Sequence, residues 1–287
     1  MNASNITKSN HMSAFQLPNL VRGNILKRPS ATCKTPYVAD VFIEDTDETV
    51  LAHTPALGCC GLSDTCSTVY LSPVVAKKNV CCYRVDLSIR FEPKLQNNII
   101  VGINPKIAET LVEHALKNNI LGFLKGTSVF IREVSIEGTR SRFDFVGVDA
   151  SGKPFVMEVK NVPLADYVDC SAKERKKMDM TVFDDVPWNK KIAYFPDGYR
   201  KNAKDPVSPR ALKHLYDLVS ITKSYRTIMC YVIQREDVGS FQPSVVDQTY
   251  RNAFYECREK GVEMHAIQFR WDKNGCCELM CDDLPIS

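Results

Sequence analysis

The stretch Val156-Met157-Glu158-Val159-Lys160 decides how the rest of the chain is read. Alternate side chains of a β-strand share a face, so Glu158 and Lys160 project together while Met157 and Val159 enter the opposite layer. Upstream, Phe143-Asp144-Phe145 sets one acid between two core-type aromatics, and the acid should point away from both. If the strands carrying these two stretches pair, Asp144 comes to lie beside Glu158. Two carboxylates with an adjacent ammonium suit metal-assisted phosphodiester cleavage. Their hard oxygens hold Mg2+ or Mn2+, which polarises a phosphoryl oxygen and lowers the pKa of bound water. Lys160 can position that water or stabilise the developing charge. Taken alone, a Glu-x-Lys pair on a strand is ordinarily a surface ion pair.

Element order adds weight to the pair. Asn104-Pro105 is a helix start, with Asn as N-cap and Pro at the first helical position. Ile107, Ala108, Leu111, Val112, Ala115 and Leu116 follow at helical spacing, with Glu109 and Glu113 beside the stripe. Strands are expected over 128–136, which carries Glu133, and over 142–149 and 155–162. The turn Ala150-Ser151-Gly152 joins the last two as a hairpin. Leu212, Leu215, Leu218, Val219 and Thr222 mark a second amphipathic helix. Residues 227–233 are a continuous apolar run, as in a strand covered on both faces. A third helix over 247–260 stops at Gly261, and 263–271 is a closing strand. The order α-β-β-β-α-β-α-β gives a mixed α/β domain around a central mixed sheet. Between them, residues 163–189 are irregular and charged, and the run from Lys173 to Lys177 reads as a solvated loop or helix face.

The first third has a different texture. Residues 1–16 read as a flexible polar tail. Strand-like segments at 37–43, 68–71 and 83–91, separated by Gly, Pro, Ser and Asp, suggest a small β-barrel or sandwich. The division expected is therefore tail 1–16, barrel 17–95 and α/β domain 96–287. A net charge of +3 permits nucleic-acid binding without arguing for it. No run approaches the roughly 20 apolar residues of a membrane span, and the N-terminus lacks a secretory pattern. An intracellular protein, cytoplasmic or nuclear and without membrane contact, is expected. Twelve cysteines then read as reduced thiols. Neither Cys59-Cys60, Cys66 and Cys81-Cys82 nor Cys276, Cys277 and Cys281 has the paired C-x-x-C spacing of a zinc site.

The sequence of helix with Glu109, strand with Glu133, strand with Asp144, hairpin and strand with Glu158-x-Lys160 resembles the PD-(D/E)XK nuclease superfamily. Longer motifs resemble the sugar fermentation stimulation protein (SfsA) family. These are Arg140-Ser141-Arg142-Phe143-Asp144-Phe145, Met157-Glu158-Val159-Lys160-Asn161-Val162 and Tyr194-Phe195-Pro196-Asp197-Gly198. Arg210-Ala211-Leu212-Lys213-His214-Leu215 and Phe241-Gln242-Pro243-Ser244 belong with them. Upstream, Leu26-Lys27-Arg28, Val38-Ala39-Asp40-Val41 and His53 match as well. The resemblance implies an OB-like N-terminal β-barrel followed by a PD-(D/E)XK nuclease-like domain. It also implies DNA binding without strong sequence preference, a metal-dependent nuclease site, and Mg2+ or Mn2+ as cofactor. Single-stranded DNA or RNA are further partners, and a homodimer is an allowed assembly.

Carried over residue by residue, Asp144, Glu158 and Lys160 are the catalytic set, and Asp144, Glu158, Glu133 and Glu109 the metal ligands. Arg140, Arg142, Lys213, His214, Lys27 and Arg28 are the nucleic-acid-binding residues. The alternative is a non-catalytic, sequence-nonspecific DNA-binding or regulatory protein that retains the nuclease fold. Two departures stand out. The family's His-Cys-x-Asn-Thr-Gly motif is replaced by His53-Thr54-Pro55-Ala56-Leu57-Gly58, which keeps the His and Gly but loses the Asn-Thr pair. Insertions fall at 163–190 and 199–209, the second carrying Arg200, Lys201 and Lys204 as a charged surface loop.

Overall fold

The computed structural model describes residues 14–54, 61–74, 80–127, 129–198 and 205–287. The expected tail up to residue 13, the loop 55–60 with the altered motif and Cys59-Cys60, and the basic loop with Arg200, Lys201 and Lys204 lie outside the described residues.

The N-terminal strands are β1 (Phe15–Gln16), β2 (Val21–Lys27), β3 (Val38–Ile43), β4 (Glu48–His53), β5 (Thr68–Pro73), β6 (Tyr83–Glu92) and β7 (Asn97–Gly102). Strands β2 to β7 form one sheet in the order β4-β3-β2-β5-β6-β7. A further parallel pairing of β4 with β6, Ala52 opposite Tyr83 and His53 opposite Arg84, closes five of them into a ring. Period-2 alternation dictates the closure. Val41 and Ile43, Val69 and Leu71, and Ile99 and Val101 all turn inward to one buried cluster. Gly23 on β2 lets the walls meet, since a Cβ there would lie 2.7 Å from the Phe42 carbonyl oxygen. This is the OB-like barrel expected.

The remaining elements are α1 (Pro105–Lys117), β8 (Val129–Ser135), β9 (Arg142–Val148), β10 (Pro154–Asn161), β11 (Ala165–Asp166), α2 (Ala172–Arg175) and β12 (Lys191–Phe195). They continue with α3 (Pro209–Ser220), β13 (Arg226–Ile233), β14 (Val238–Pro243), α4 (Gln248–Glu259), β15 (Glu263–Trp271) and β16 (Cys276–Cys281). The large sheet runs β1-β16-β15-β13-β10-β9-β8. Its β10–β13 and β13–β15 pairs are parallel and the rest antiparallel, so the protein is mixed α/β. One face packs on α1 through Phe145, Phe155, Met157 and Ile228. The other packs on α3 and α4 through Val156, Met229 and Tyr231. Strand β13 is buried on both faces, as its unbroken apolar run requires.

Barrel and sheet are locked at the start of α1. The Asn104 side chain accepts from Lys106 N at 3.0 Å and donates from Nδ2 to Asp86 Oδ1 on β6 at 2.7 Å. An N-cap of this kind contributes about 1 kcal/mol; here it also fixes where Glu109 stands relative to the barrel.

Three readings shift. Phe15 and Gln16, expected in the tail, pair with Cys277 and Cys276 at the far edge of the large sheet. Strand β7 belongs to the barrel and moves the junction from 95 to about Gly102. Strands β12, β14 and β16 were not anticipated; the first two join β11 in a separate three-stranded sheet. Among the described residues all ten cysteines are free thiols, and no helix is long and apolar enough to cross a membrane.

Candidate active site

The site opens where β9 parts from its neighbours. The β9–β10 ladder starts at Val148 with Pro154 and ends at Phe145 with Met157. On the other side, Arg132 and Val134 of β8 face Phe145 and Phe143, and Glu133 drops out of the ladder with φ at 57°. The left-handed backbone at Glu133 interrupts the ladder opposite Asp144, while the register on either side stays unshifted. Asp144 therefore has no ladder partner on either side. Its carboxylate fills the gap, with Val159 N–H donating to Asp144 Oδ2 at 2.7 Å. The sequence reading, with both aromatics on one face and Asp144 on the other, is corrected here. Phe145 enters the α1 layer and Phe143 the α3–α4 layer, so the period of two breaks at Asp144.

Two groups of side chains result. In the first, Glu109 of α1, Glu133 of β8 and Asp144 of β9 each bring one carboxylate oxygen within 4.8 Å of the others. Their charges are already matched. Lys106 Nζ lies 2.9 and 3.0 Å from the two Glu109 oxygens and 3.3 Å from Glu133 Oε1. Arg142 Nη2 lies 2.5 Å from Glu133 Oε2, and Arg132 Nη2 lies 2.9 Å from Glu109 Oε2.

In the second group, Lys160 of β10 and His214 of α3 both close on Glu158 Oε1. Lys160 Nζ is 3.1 Å from His214 Nδ1. With its proton on Nδ1, neutral His214 donates to the carboxylate. The other oxygen, Glu158 Oε2, is buried without a hydrogen-bond partner.

The two buried acids respond oppositely. Burial, reinforced by the Glu158 charge, pushes Asp144 up to about 7 against the pull of Lys160 and the Val159 N–H. Burial also pushes Glu158 up, but Lys160 and His214 outweigh it and hold this carboxyl below its ordinary value. Burial lowers His214, over the opposing pull of Glu158. Neighbouring carboxyls driven apart in this way are a mark of functional sites.

The remaining carried-over residues divide. His214 is only 2% exposed, so it braces Glu158 and Lys160 and offers no surface to nucleic acid, which corrects that expectation. Its neighbour Lys213 donates to the Arg140 carbonyl oxygen at 2.5 Å and ties down the approach to β9. Arg140 and Lys27 are exposed. Arg28 is spent on the chain itself. Its Nε donates to Pro36 O at 2.9 Å, and its Nη1 donates to Ser63 O at 3.2 Å and lies 3.7 Å from Asp64. Sequence reasoning missed Lys106 and Arg132. For Lys106 a signal existed, the i, i+3 spacing to Glu109 in the first turn of α1. A cavity of about 910 Å3, lined by Arg90, Lys94, Tyr167, Phe183, Lys191 and Arg235, lies elsewhere, between the β6–β7 turn and the 165–184 segment. None of the acidic residues above lines it.

Residues 106–173 and 179–275 match the sugar fermentation stimulation protein RE domain. The homologue from Crocosphaera subtropica is 30% identical over 275 residues, which cover 94% of this chain and 97% of that one. The chain belongs to the sugar fermentation stimulation protein family. The family homologue from Rippkaea orientalis is 29% identical over 266 residues, 91% of this chain and 92% of its own. These relatives are bacterial, so the nuclear alternative finds no support among them. Among solved structures, Pyrococcus furiosus SfsA in complex with Ca2+ superposes with a TM-score of 0.72. The match spans 95% of this chain and 98% of that one at 17% identity, which shows a shared fold. The chain thus shares with that structure its OB-like barrel followed by a mixed α/β domain.

Proposed function

We propose that this family member is a DNA-binding protein whose acidic centre hydrolyses phosphodiester bonds with Mg2+ or Mn2+. One observation carries the reading: three carboxylates from three elements converge within 4.8 Å, beside a buried Glu158 oxygen with no partner. The residues fit a hard divalent cation. The donors are all oxygens, and an orphaned buried carboxylate oxygen is one that an ion can satisfy. The Ca2+ held by the Pyrococcus furiosus relative is of the same hard class. Asp144, Glu158 through Oε2, Glu109 and Glu133 would hold the ion. When bound, it polarises the phosphoryl oxygen and lowers the pKa of water.

The chain's own groups do the rest. Val159 N–H holds Asp144 in place across the split between β9 and β10. Glu158 holds Lys160, with His214 donating to the same carboxylate oxygen, and the ammonium orients the attacking water or stabilises charge on the phosphoryl group. Exposed Arg140 and Lys27 contact backbone phosphates. The test is incubation of pure protein with plasmid and single-stranded DNA in Mn2+. Wild type should cleave, while Asp144→Asn and Lys160→Met should not; equal background in all three would end the proposal. Salt-sensitive DNA retention without turnover in any of them would favour the non-catalytic alternative.

A further inference from the structure

We propose that Lys106 is a resident counter-cation of the acidic cluster, which yields its carboxylates to the incoming divalent ion and transfers to a substrate phosphate. The inference rests on the metal-binding reading above and adds a residue that the family motifs did not supply.

Geometry comes first. Lys106 Nζ reaches both oxygens of Glu109 and Oε1 of Glu133, two of the three converging acids. A divalent ion needs those oxygens at about 2.0–2.6 Å. Ammonium and ion therefore compete for the same oxygens.

Charge favours the exchange. Three carboxylates converge, Glu109, Glu133 and Asp144, and Glu158 stands close enough to Asp144 for their charges to interact. Four cations, Lys106, Arg132, Arg142 and Lys160, lie against them. With resident cations already against these acids, a doubly charged ion enters most readily when one of them withdraws.

Three of the four cations are poorly placed to do so. Lys160 is 13% exposed and wedged between Glu158 and His214. Arg132 also pairs with Glu113 and lies over the Phe145 ring at 5.3 Å. Arg142 is exposed but holds only Glu133, so its withdrawal yields oxygens of one acid where that of Lys106 yields oxygens of two. Lys106 is 68% exposed on a flexible stem, and among the described residues its ammonium bonds only these two acids.

Position then says where the ammonium goes. Lys106 stands in the first turn of α1, at the positive end of the helix, where a lysine is disfavoured without an anion. Once the carboxylates turn to the ion, a phosphate oxygen is the replacement that both the lysine and the helix end favour. Ion and DNA then strengthen each other's binding through Lys106, reciprocally.

The experiment uses full-length Lys106→Met with Ca2+ as probe, by calorimetry without DNA, and then labelled duplex anisotropy in Ca2+. Lys117→Met is the control, removing a charge from the far end of α1, where it pairs with Glu113. Several-fold tighter Ca2+ binding by Lys106→Met, with several-fold weaker duplex binding in Ca2+ and neither change in the control, is expected. Unchanged or weaker Ca2+ binding, or an equal gain in Lys117→Met, overturns the counter-cation role. Tighter Ca2+ binding with unchanged duplex affinity overturns the transfer to phosphate. Retention of Ca2+ by Asp144→Asn would instead bring down the metal-site reading itself, and no arm depends on turnover.

Discussion

Asp144 and Glu158 sit on neighbouring strands and are only 8% and 2% exposed, yet their charges behave differently. Glu158 has two cation-capable side chains fixed on one oxygen. Asp144 has a single backbone N–H, and its carboxyl is pushed up to about 7. Burial penalises both acids; what separates them is whether a counter-charge is built into the fold. Glu158 is a permanent anion that anchors Lys160. Asp144 is an acid whose full charge awaits a cation.

The sharpest way to break this contrast is Lys160→Met. Cleavage should fall by about 10³-fold, the scale of losing one preorganised group at a developing charge. Stability should fall too, by about 3 kcal/mol, because Glu158 is left buried with only His214. Plasmid cleavage and a thermal melt check both. A variant that melts like wild type would show that Lys160 does not hold Glu158.

Asp144→Asn tests the other half. A carboxyl with a raised folded value binds more protons folded than unfolded between its ordinary 3.8 and about 7. Its contribution to stability is therefore lost as pH rises through that window. Replacement by neutral Asn should raise the melting temperature at pH 8 and leave it little changed at pH 4. Ca2+ should raise the wild-type melting temperature at pH 8, and not that of the variant. A variant less stable than wild type at pH 8 would contradict the burial argument.

Much of this was legible in sequence. Regular periodicity exposed α1, α3, α4, β10 and β13, and motif order supplied Glu109, Glu133, Asp144, Glu158 and Lys160. The left-handed residue was not legible, since Glu133 is neither a Gly nor an Asn, the residues that adopt that conformation readily. With that break in the alternation hidden, Phe143 and Phe145 read as members of one layer. Strands β12 and β14 were hidden by shortness and by Gly239 and Pro243. His214 read as a nucleic-acid contact together with Lys213, because only tertiary packing, which buries His214 against Glu158, tells the two apart.

The left-handed residue itself offers a smaller test. Glu133 holds φ at 57°, a conformation that Asn tolerates better than most residues. Glu133→Asn should weaken Ca2+ binding while gaining up to about 1 kcal/mol of stability. Calorimetry and denaturant melts separate the two. Loss of stability would mean that the pairs to Lys106 and Arg142 outweigh the strain.

The smallest effect expected is on the barrel, where the same distinction between spent and available cations recurs. Lys27 is exposed at the end of β2, whereas Arg28 is bound to Pro36, Ser63 and Asp64. Each phosphate contact changes the slope of log affinity against log salt by about 0.9 on duplex DNA. Lys27→Gln should therefore reduce that slope by roughly one contact and leave the melting temperature alone. Arg28→Gln should do the reverse, lowering stability without touching the slope, because its guanidinium secures the turn before β3 and the Ser63 loop. If both variants change the slope equally, exposure is not what decides which barrel cations meet DNA, and the barrel surface must rearrange on binding.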